Sequence, residues 1–269
     1  MYVEVGDLKY WCEVYGKGPP VVLLHGFTGS SKSWHQLIDH LKGKYQLIAI
    51  DLPGHGQTEI NTPRTMEDCC ADLKSLFNVL KLSAVHLVGY SMGGRTALSF
   101  AMLYPQYVET LTLESASPGL YQAEERSLRV KQDEQLIEQI KTKGLTAFVH
   151  KWENIPLFHT QRKLPECIRQ KVRSERLAQS EEGLIQSLRY MGTGSQPSWW
   201  GQLNKITCPV LLIVGALDQK FVTINQQMQK EFQHATLKIV NDAGHTIHLE
   251  KFATFKKILT RFIDEKTHS

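Results

Sequence analysis

The sequence predicts an α/β domain in which a mostly parallel sheet, covered by helices, carries a helical lid. Three observations predict it. Short runs of β-branched and aliphatic residues recur without polar alternation, the pattern of strands buried on both faces. Helix-like stretches lie between those runs, as the crossovers of a parallel sheet require. One long stretch, Ser117 to Trp200, contains no such run and reads as several helices in succession.

Along the chain, strands are predicted at Val21–Leu24, Tyr45–Ile50, Val85–Gly89 and Val108–Leu113. An apolar helix, Arg95–Leu103, follows the third run. The long interruption reads as helices Ala123–Lys143, Leu145–Trp152, Leu164–Gln179 and Glu182–Met191. Gly192 to Gln196, followed by Pro197, is the hinge back to the sheet, which resumes at Val210–Val214 and Ala235–Val240. The division expected is therefore a core of residues 1–116 and 201–269 and a lid of residues 117–200, with no internal repeat.

Composition bounds the function. A chain of 269 residues buries roughly three quarters of its unfolded surface in one core. Hydrophobic residues at 42% and charged residues at 22% argue against disorder, and no apolar run approaches the roughly 18 residues of a membrane span. The first ten residues carry Glu4 and Asp7 and lack a basic leader, so a soluble, unexported, cytoplasmic protein without membrane insertion is expected. A net charge of +4 with no block of five Lys/Arg argues against nucleic acid as a partner. Most of that excess lies in the lid, with 13 Lys/Arg against 10 Asp/Glu, while the remainder holds 18 against 17. A solvated helix face accounts for any single one of these residues, yet a positive lid suits a small anionic substrate. The five cysteines, Cys12, Cys69, Cys70, Cys167 and Cys208, fit neither a CxxC motif nor a disulfide ladder and read as reduced, buried thiols. Nothing in the sequence specifies an oligomeric state.

The chemistry starts at Gly89-Tyr90-Ser91-Met92-Gly93, a G-x-S-x-G pentapeptide between a strand and an apolar helix. A serine on such a turn has a strained backbone, and both glycines are needed because a Cβ there would meet the neighbouring helix and strand. Its base and acid should follow later strands in the order Ser, Asp, His. Asp218 follows the run ending at Gly215, and His245 follows the last run in Asp242-Ala243-Gly244-His245. Asp242 competes as the acid and His248 as the base; Asp242 reads as a turn residue and His248 as a residue one helical turn into the next helix. His245 and His248 lack a third ligand at metal spacing, so neither metal nor organic cofactor is expected. Two backbone N–H groups should bind a developing oxyanion, those of Met92 and of Phe27 in the loop His25-Gly26-Phe27-Thr28-Gly29. The loop Asp51-Leu52-Pro53-Gly54-His55-Gly56 reads as structural.

Two further features narrow the substrate. Arg95 lies four residues after Ser91, one helical turn on along the same face, where it would bind a carboxylate unless a structural acid claims it. Trp152, in Trp152-Glu153-Asn154-Ile155-Pro156-Leu157-Phe158, supplies either an aromatic wall or lid core.

The motifs HGF, DLPGHG, GYSMGG, LD and AGH, in this order over nearly the whole chain, resemble those of α/β-hydrolase-fold enzymes. A serine at the elbow argues against the superfamily's epoxide hydrolases and haloalkane dehalogenases, which use aspartate. GYSMGGR, Ser117-Pro118-Gly119-Leu120, WENIPLF and GTGSQP together resemble one family, the 2-succinyl-6-hydroxy-2,4-cyclohexadiene-1-carboxylate synthases of menaquinone (vitamin K2) biosynthesis. Trp199-Trp200 departs slightly from the usual end of the last segment.

The resemblance implies a carbon–oxygen lyase that eliminates pyruvate from 2-succinyl-5-enolpyruvyl-6-hydroxy-3-cyclohexene-1-carboxylate. Three carboxylates on that substrate imply arginines, and Arg95, Arg129 and Arg176 match the family positions, with Arg126 and Arg173 close enough to compete in register. Tyr90 and Trp152 match pocket aromatics. The triad would then abstract a proton rather than direct a hydrolytic water. The alternatives are a serine hydrolase acting on an ester or C–C bond of a small carboxylated substrate, and a non-catalytic ligand sensor; the latter would gain from a triad defect, and none is present.

Overall fold

The computed structural model describes residues 1–267. Its strands are β1 (Tyr2–Val5), β2 (Leu8–Tyr15), β3 (Pro20–Leu24), β4 (Gln46–Ile50), β5 (Val85–Tyr90), β6 (Val108–Glu114), β7 (Val210–Gly215) and β8 (Ala235–Val240). They form one sheet in the spatial order β1-β2-β4-β3-β5-β6-β7-β8. The six strands from β3 onward pair in parallel, while β2 runs antiparallel to both β1 and β4. All six expected strands are present, each end within one residue of its expected place. The two N-terminal strands were not expected, because their residues alternate between exposed and buried and include Glu4, Lys9 and Glu13.

Helices α1 (His35–Leu41), α2 (Met66–Val79) and α3 (Met92–Leu103) join the first strands, and α7 (Gln219–Glu231), α8 (Ile247–Glu250) and α9 (Phe252–Thr267) the last. Between β6 and β7 lie α4 (Ala123–Trp152), a 3₁₀ segment Pro156–Lys163, α5 (Glu166–Leu177) and α6 (Glu181–Met191). The expected break at residue 144 appears inside α4, where Gly144 takes φ 76° and ψ 168°. Only glycine adopts that conformation without strain. The helix restarts at Leu145, whose N–H donates to the Glu181 carboxylate at 2.6 Å. Among the described residues no helix is long and apolar enough to cross a membrane.

Two apolar clusters cover the sheet. One is built on Leu24, Leu87, Leu73, Phe77 and Phe100 under α2 and α3, the other on Leu23, Val88, Ile213, Trp34 and Phe255 under α1 and α9. The inserted helices own a third, Ile137, Ile140, Phe148, Val149, Leu184, Ile185 and Leu188, against which Phe27 of the sheet's β3 loop also packs. At about 1.5 to 3 kcal/mol per fully buried side chain, this cluster stabilises the insert and anchors it over the C-terminal ends of the strands. Ligands of open α/β sheets bind at that edge. Three cysteines, Cys12, Cys69 and Cys70, are buried as expected, whereas Cys167 is exposed on α5.

Candidate active site

Ser91 connects β5 to α3 with φ 52° and ψ −107°, a conformation that costs a non-glycine residue about 1 to 3 kcal/mol. The surroundings enforce it. A Cβ on Gly89 would lie 2.2 Å from the Gly93 carbonyl, and one on Gly93 would lie 2.2 Å from that of Leu24. The Ser91 N–H donates to the Glu114 carbonyl at 2.8 Å, tying the turn to the end of β6.

His245 Nε2 lies 3.0 Å from Ser91 Oγ and its Nδ1 2.7 Å from Asp218 Oδ2. An ionised carboxylate only accepts, so Nδ1 carries the proton and Nε2 is left to accept from the serine hydroxyl. Asp218 also caps α7 by accepting the Phe221 N–H at 3.4 Å, which sets its carboxylate at the positive end of that helix. The imidazole is 1% exposed and held among the rings of Phe221, Tyr90 and Phe158. Asp242 takes a positive φ with its side chain in solvent, and His248 belongs to a separate buried pair, its Nδ1 2.8 Å from Glu114 Oε2. Neither competes for the serine.

Phe27 and Met92 line the cavity beside Ser91, a space of about 1180 Å³. Met92 opens α3, so its N–H has no intrahelical acceptor. The loop before Phe27 is pinned by His25, whose Nε2 accepts from the Leu52 N–H at 2.9 Å and whose Nδ1–H donates to the Gly26 carbonyl at 2.8 Å. Burial pushes the His25 pKa down to about 4 and that of neighbouring His55 down to about 3, so both are neutral struts at physiological pH. Asp51 accepts the N–H groups of Ser31 (2.6 Å) and Gln57 (2.8 Å), a structural use of its loop.

Arg95, Arg129 and Trp152 line the same cavity as Ser91 and His245. Arg95 donates from Nη1 to the Met191 carbonyl at 2.8 Å and to Gln196 Oε1, and among the described residues no carboxylate pairs with it. Among the described residues no hydrogen bond is made by its Nε or Nη2, which leaves donors for a ligand. Burial, reinforced by Arg129 and opposed by the Asp133 carboxylate, pushes its pKa down to about 9, still well above neutrality. Arg129 donates from Nε to Asp133 Oδ1 at 2.9 Å, and burial raises the pKa of that carboxyl. The Trp152 indole N–H is buried without an acceptor. Arg126 instead donates to the carbonyls of Leu120 and Tyr121, and Arg173 pairs with Glu153.

Tyr90 and Arg176 face an adjoining cavity of about 910 Å³, and Phe27 lines both spaces. Arg176 is 6% exposed, with its Cζ 4.8 Å above the Phe158 ring and its Nη2 donating to Gln161 Oε1 at 3.3 Å. Burial lowers its pKa and raises that of Tyr90, so the phenol stays protonated. Sequence reasoning missed Gln196, Asp133, Gln161 and Thr246. Gln196 lies inside the GTGSQP segment, and Asp133 lies one helical turn after Arg129, a readable ion-pair spacing. Gln161 and Thr246 had no local signal.

A family model described as alpha/beta hydrolase fold matches residues 19–252. A Bacillus subtilis protein named putative 2-succinyl-6-hydroxy-2,4-cyclohexadiene-1-carboxylate synthase is 48% identical over 246 residues, covering 90% of this chain and 89% of its own. The structure of MenH from S. aureus superposes with a TM-score of 0.91 at 33% identity, over 96% of this chain and 98% of that one. A thermophilic esterase from Thermogutta terrifontis with malate bound matches with a TM-score of 0.86 at 25% identity, over 99% of each chain.

Proposed function

The chain belongs to the α/β-hydrolase fold family and, within it, to the 2-succinyl-6-hydroxy-2,4-cyclohexadiene-1-carboxylate synthases, and on that premise we propose that it is a cytoplasmic lyase eliminating pyruvate from 2-succinyl-5-enolpyruvyl-6-hydroxy-3-cyclohexene-1-carboxylate. The observation that carries the reading is Arg95, a guanidinium with no directly bonded carboxylate, in the cavity that also holds Ser91 and His245. A site for neutral esters gains nothing from a buried cation, whereas a substrate carboxylate completes its bonding.

In the proposed reaction Ser91, its proton passing to His245 Nε2, removes the ring proton next to the succinyl ketone. Asp218 holds the imidazole in the accepting tautomer and stabilises the imidazolium. The ketone oxygen becomes an enolate, bound by the N–H groups of Phe27 and Met92. The electron pair then moves through the ring alkene and breaks the bond to the enolpyruvyl oxygen. Pyruvate leaves as its enolate and takes up a proton, and the conjugated diene remains. Arg95 and Arg129 bind carboxylates from the Ser91 cavity, Trp152 donates its indole N–H, and Arg176 with Tyr90 receives the arm that passes Phe27.

The test is to mix protein and enolpyruvyl substrate and follow pyruvate together with the diene's ultraviolet absorbance. Stoichiometric appearance of both supports the elimination; their absence overturns it. The likeness to a malate-bound esterase favours a second reading, a serine hydrolase for carboxylated esters, and faster turnover of p-nitrophenyl acetate than of the enolpyruvyl substrate would select it.

A further inference from the structure

Gln161 is a lid residue with 8% exposure, and both ends of its amide are used. Its Oε1 accepts from Arg176 Nη2 at 3.3 Å, and its Nε2 donates to Thr246 Oγ1 at 2.9 Å. Thr246 Oγ1 lies in turn 2.8 Å from the Tyr90 hydroxyl. Thr246 follows His245 in sequence, and Tyr90 precedes Ser91. The chain of bonds therefore starts at a lid arginine and ends beside both reacting side chains.

The packing around it is close. A Cβ on Gly244 would lie 2.2 Å from the Thr160 hydroxyl, so the lid's 3₁₀ segment sits directly on the backbone that presents His245. From below, Glu250 accepts the Gly244 N–H at 2.7 Å and the Thr246 N–H at 3.2 Å. The turn bearing His245 is gripped on one side by Glu250 and on the other by Thr160 and Gln161. Buried amides that use donor and acceptor together fix a relative position, since losing either partner leaves a desolvated polar group.

We propose that Gln161 is a positioning residue that couples the anion-binding Arg176 of the lid to the placement of His245 against Ser91. The inference rests on the elimination reading for the role of Arg176, but the grip on His245 stands without it. A glutamine suits the place because it accepts from the arginine and donates to the threonine while carrying no charge. A leucine there breaks both bonds. A glutamate keeps both, accepting from Arg176 and from the Thr246 hydroxyl, yet cancels the arginine's charge.

Four variants test this on the intact chain, assayed for pyruvate release. Gln161→Leu and Thr246→Val are each expected to lower kcat about 10-fold, and the double variant by about the same factor rather than about 100-fold, because one bridge is broken either way. Gln161→Glu is expected to hold kcat within about 2-fold while raising KM about 10-fold. The His245 imidazole resonances, read by NMR without substrate, should shift in Gln161→Leu and Thr246→Val and stay in place in Gln161→Glu. Unchanged kcat in Gln161→Leu, multiplicative losses in the double variant, or unmoved His245 resonances would each overturn the proposal. Should Gln161→Leu not fold, a Gln161→Glu variant that loses kcat rather than KM overturns it as well. Failure of the unsubstituted protein to release pyruvate would overturn the elimination instead, and the NMR comparison would still decide the grip on His245.

Discussion

Replacing Arg95 by methionine separates a ligand-binding arginine from a structural one, because the two roles predict opposite balances between activity and stability. Arg95 is half-buried, hydrogen-bonds the protein through Nη1 and, among the described residues, has no directly bonded carboxylate, although the Asp133 charge acts on it. A bound substrate carboxylate adds a charge-assisted interaction worth about 1.5 to 3 kcal/mol, so Arg95→Met should lower kcat/KM for the enolpyruvyl substrate by about 10- to 150-fold. On the stability side, the substitution strands the Met191 carbonyl and Gln196 Oε1, at about 1 to 3 kcal/mol, but removes a half-buried charge that no directly bonded carboxylate neutralises. The two effects oppose each other, and urea unfolding should move by less than about 2 kcal/mol. Had Arg95 been half of a buried ion pair, the loss would be about 3 to 5 kcal/mol.

Burial lowers the Arg95 pKa, yet the guanidinium remains charged at neutral pH. The kcat/KM profiles of wild type and Arg95→Met should therefore share their shape between about pH 6 and 8 and differ in height. A methionine variant with full activity, or one that unfolds with a loss above 3 kcal/mol, refutes the ligand-binding role.

Three further outcomes are expected. Ser91→Ala and His245→Ala should each reduce turnover by roughly 10³-fold or more with the fold intact by circular dichroism, and the double variant should be no slower than the worse single one. Asp133→Asn should lower KM a few-fold by releasing Arg129 for substrate. Burial raises the Asp133 pKa, so its ionised form is penalised above that value and relieved as pH falls through it; stability at neutral pH should not drop by more than about 1 kcal/mol. Activity should survive extended dialysis against EDTA, and a stoichiometric metal whose return restored activity would contradict the Ser–His–Asp mechanism.

The buried strands were legible because burial on both faces removes polar alternation, and β3 to β7 carry that signature in a few residues each, while β8, the far edge of the sheet, was legible from its β-branched and aliphatic residues alone. β1, the edge strand, and β2, paired between it and β4, were not, since half-exposed strands interleave charges with apolar residues and resemble an extended terminus. The proximity of Ser91, Asp218 and His245 was legible for a related reason: each follows a strand, and parallel strands deliver their C-terminal ends to one edge. The lid partners obey no such rule. Gln196 meets Arg95 across 101 residues and Gln161 meets Thr246 across 85, and nothing local at either end of those contacts marks it. Arg95 itself was readable from helical phase, whereas the placement of Arg176 behind Phe158 depends on how the 3₁₀ segment Pro156–Lys163 sits on the core.

That contrast bears on what makes such a site a lyase rather than an esterase. A serine, histidine and aspartate at the strand ends move a proton between oxygen and imidazole, and this step is common to acyl transfer and to proton abstraction from carbon. The core therefore does not choose between them. The choice falls to whatever holds the acidic C–H, rather than a scissile carbonyl, over Ser91 Oγ. On the proposed reading those groups are Arg95 on α3, hydrogen-bonded to Gln196, and Arg129 on α4 in the Ser91 cavity, with Arg176 on α5 in the adjoining one. Fixed cations at separate points of two adjoining cavities orient a ligand with several carboxylates in few ways, and orientation alone can supply several kcal/mol of the barrier. A monoanionic ester engages one of them at a time and gains affinity without alignment, so the arrangement favours a rigid polyanion over a hydrolysable monoanion.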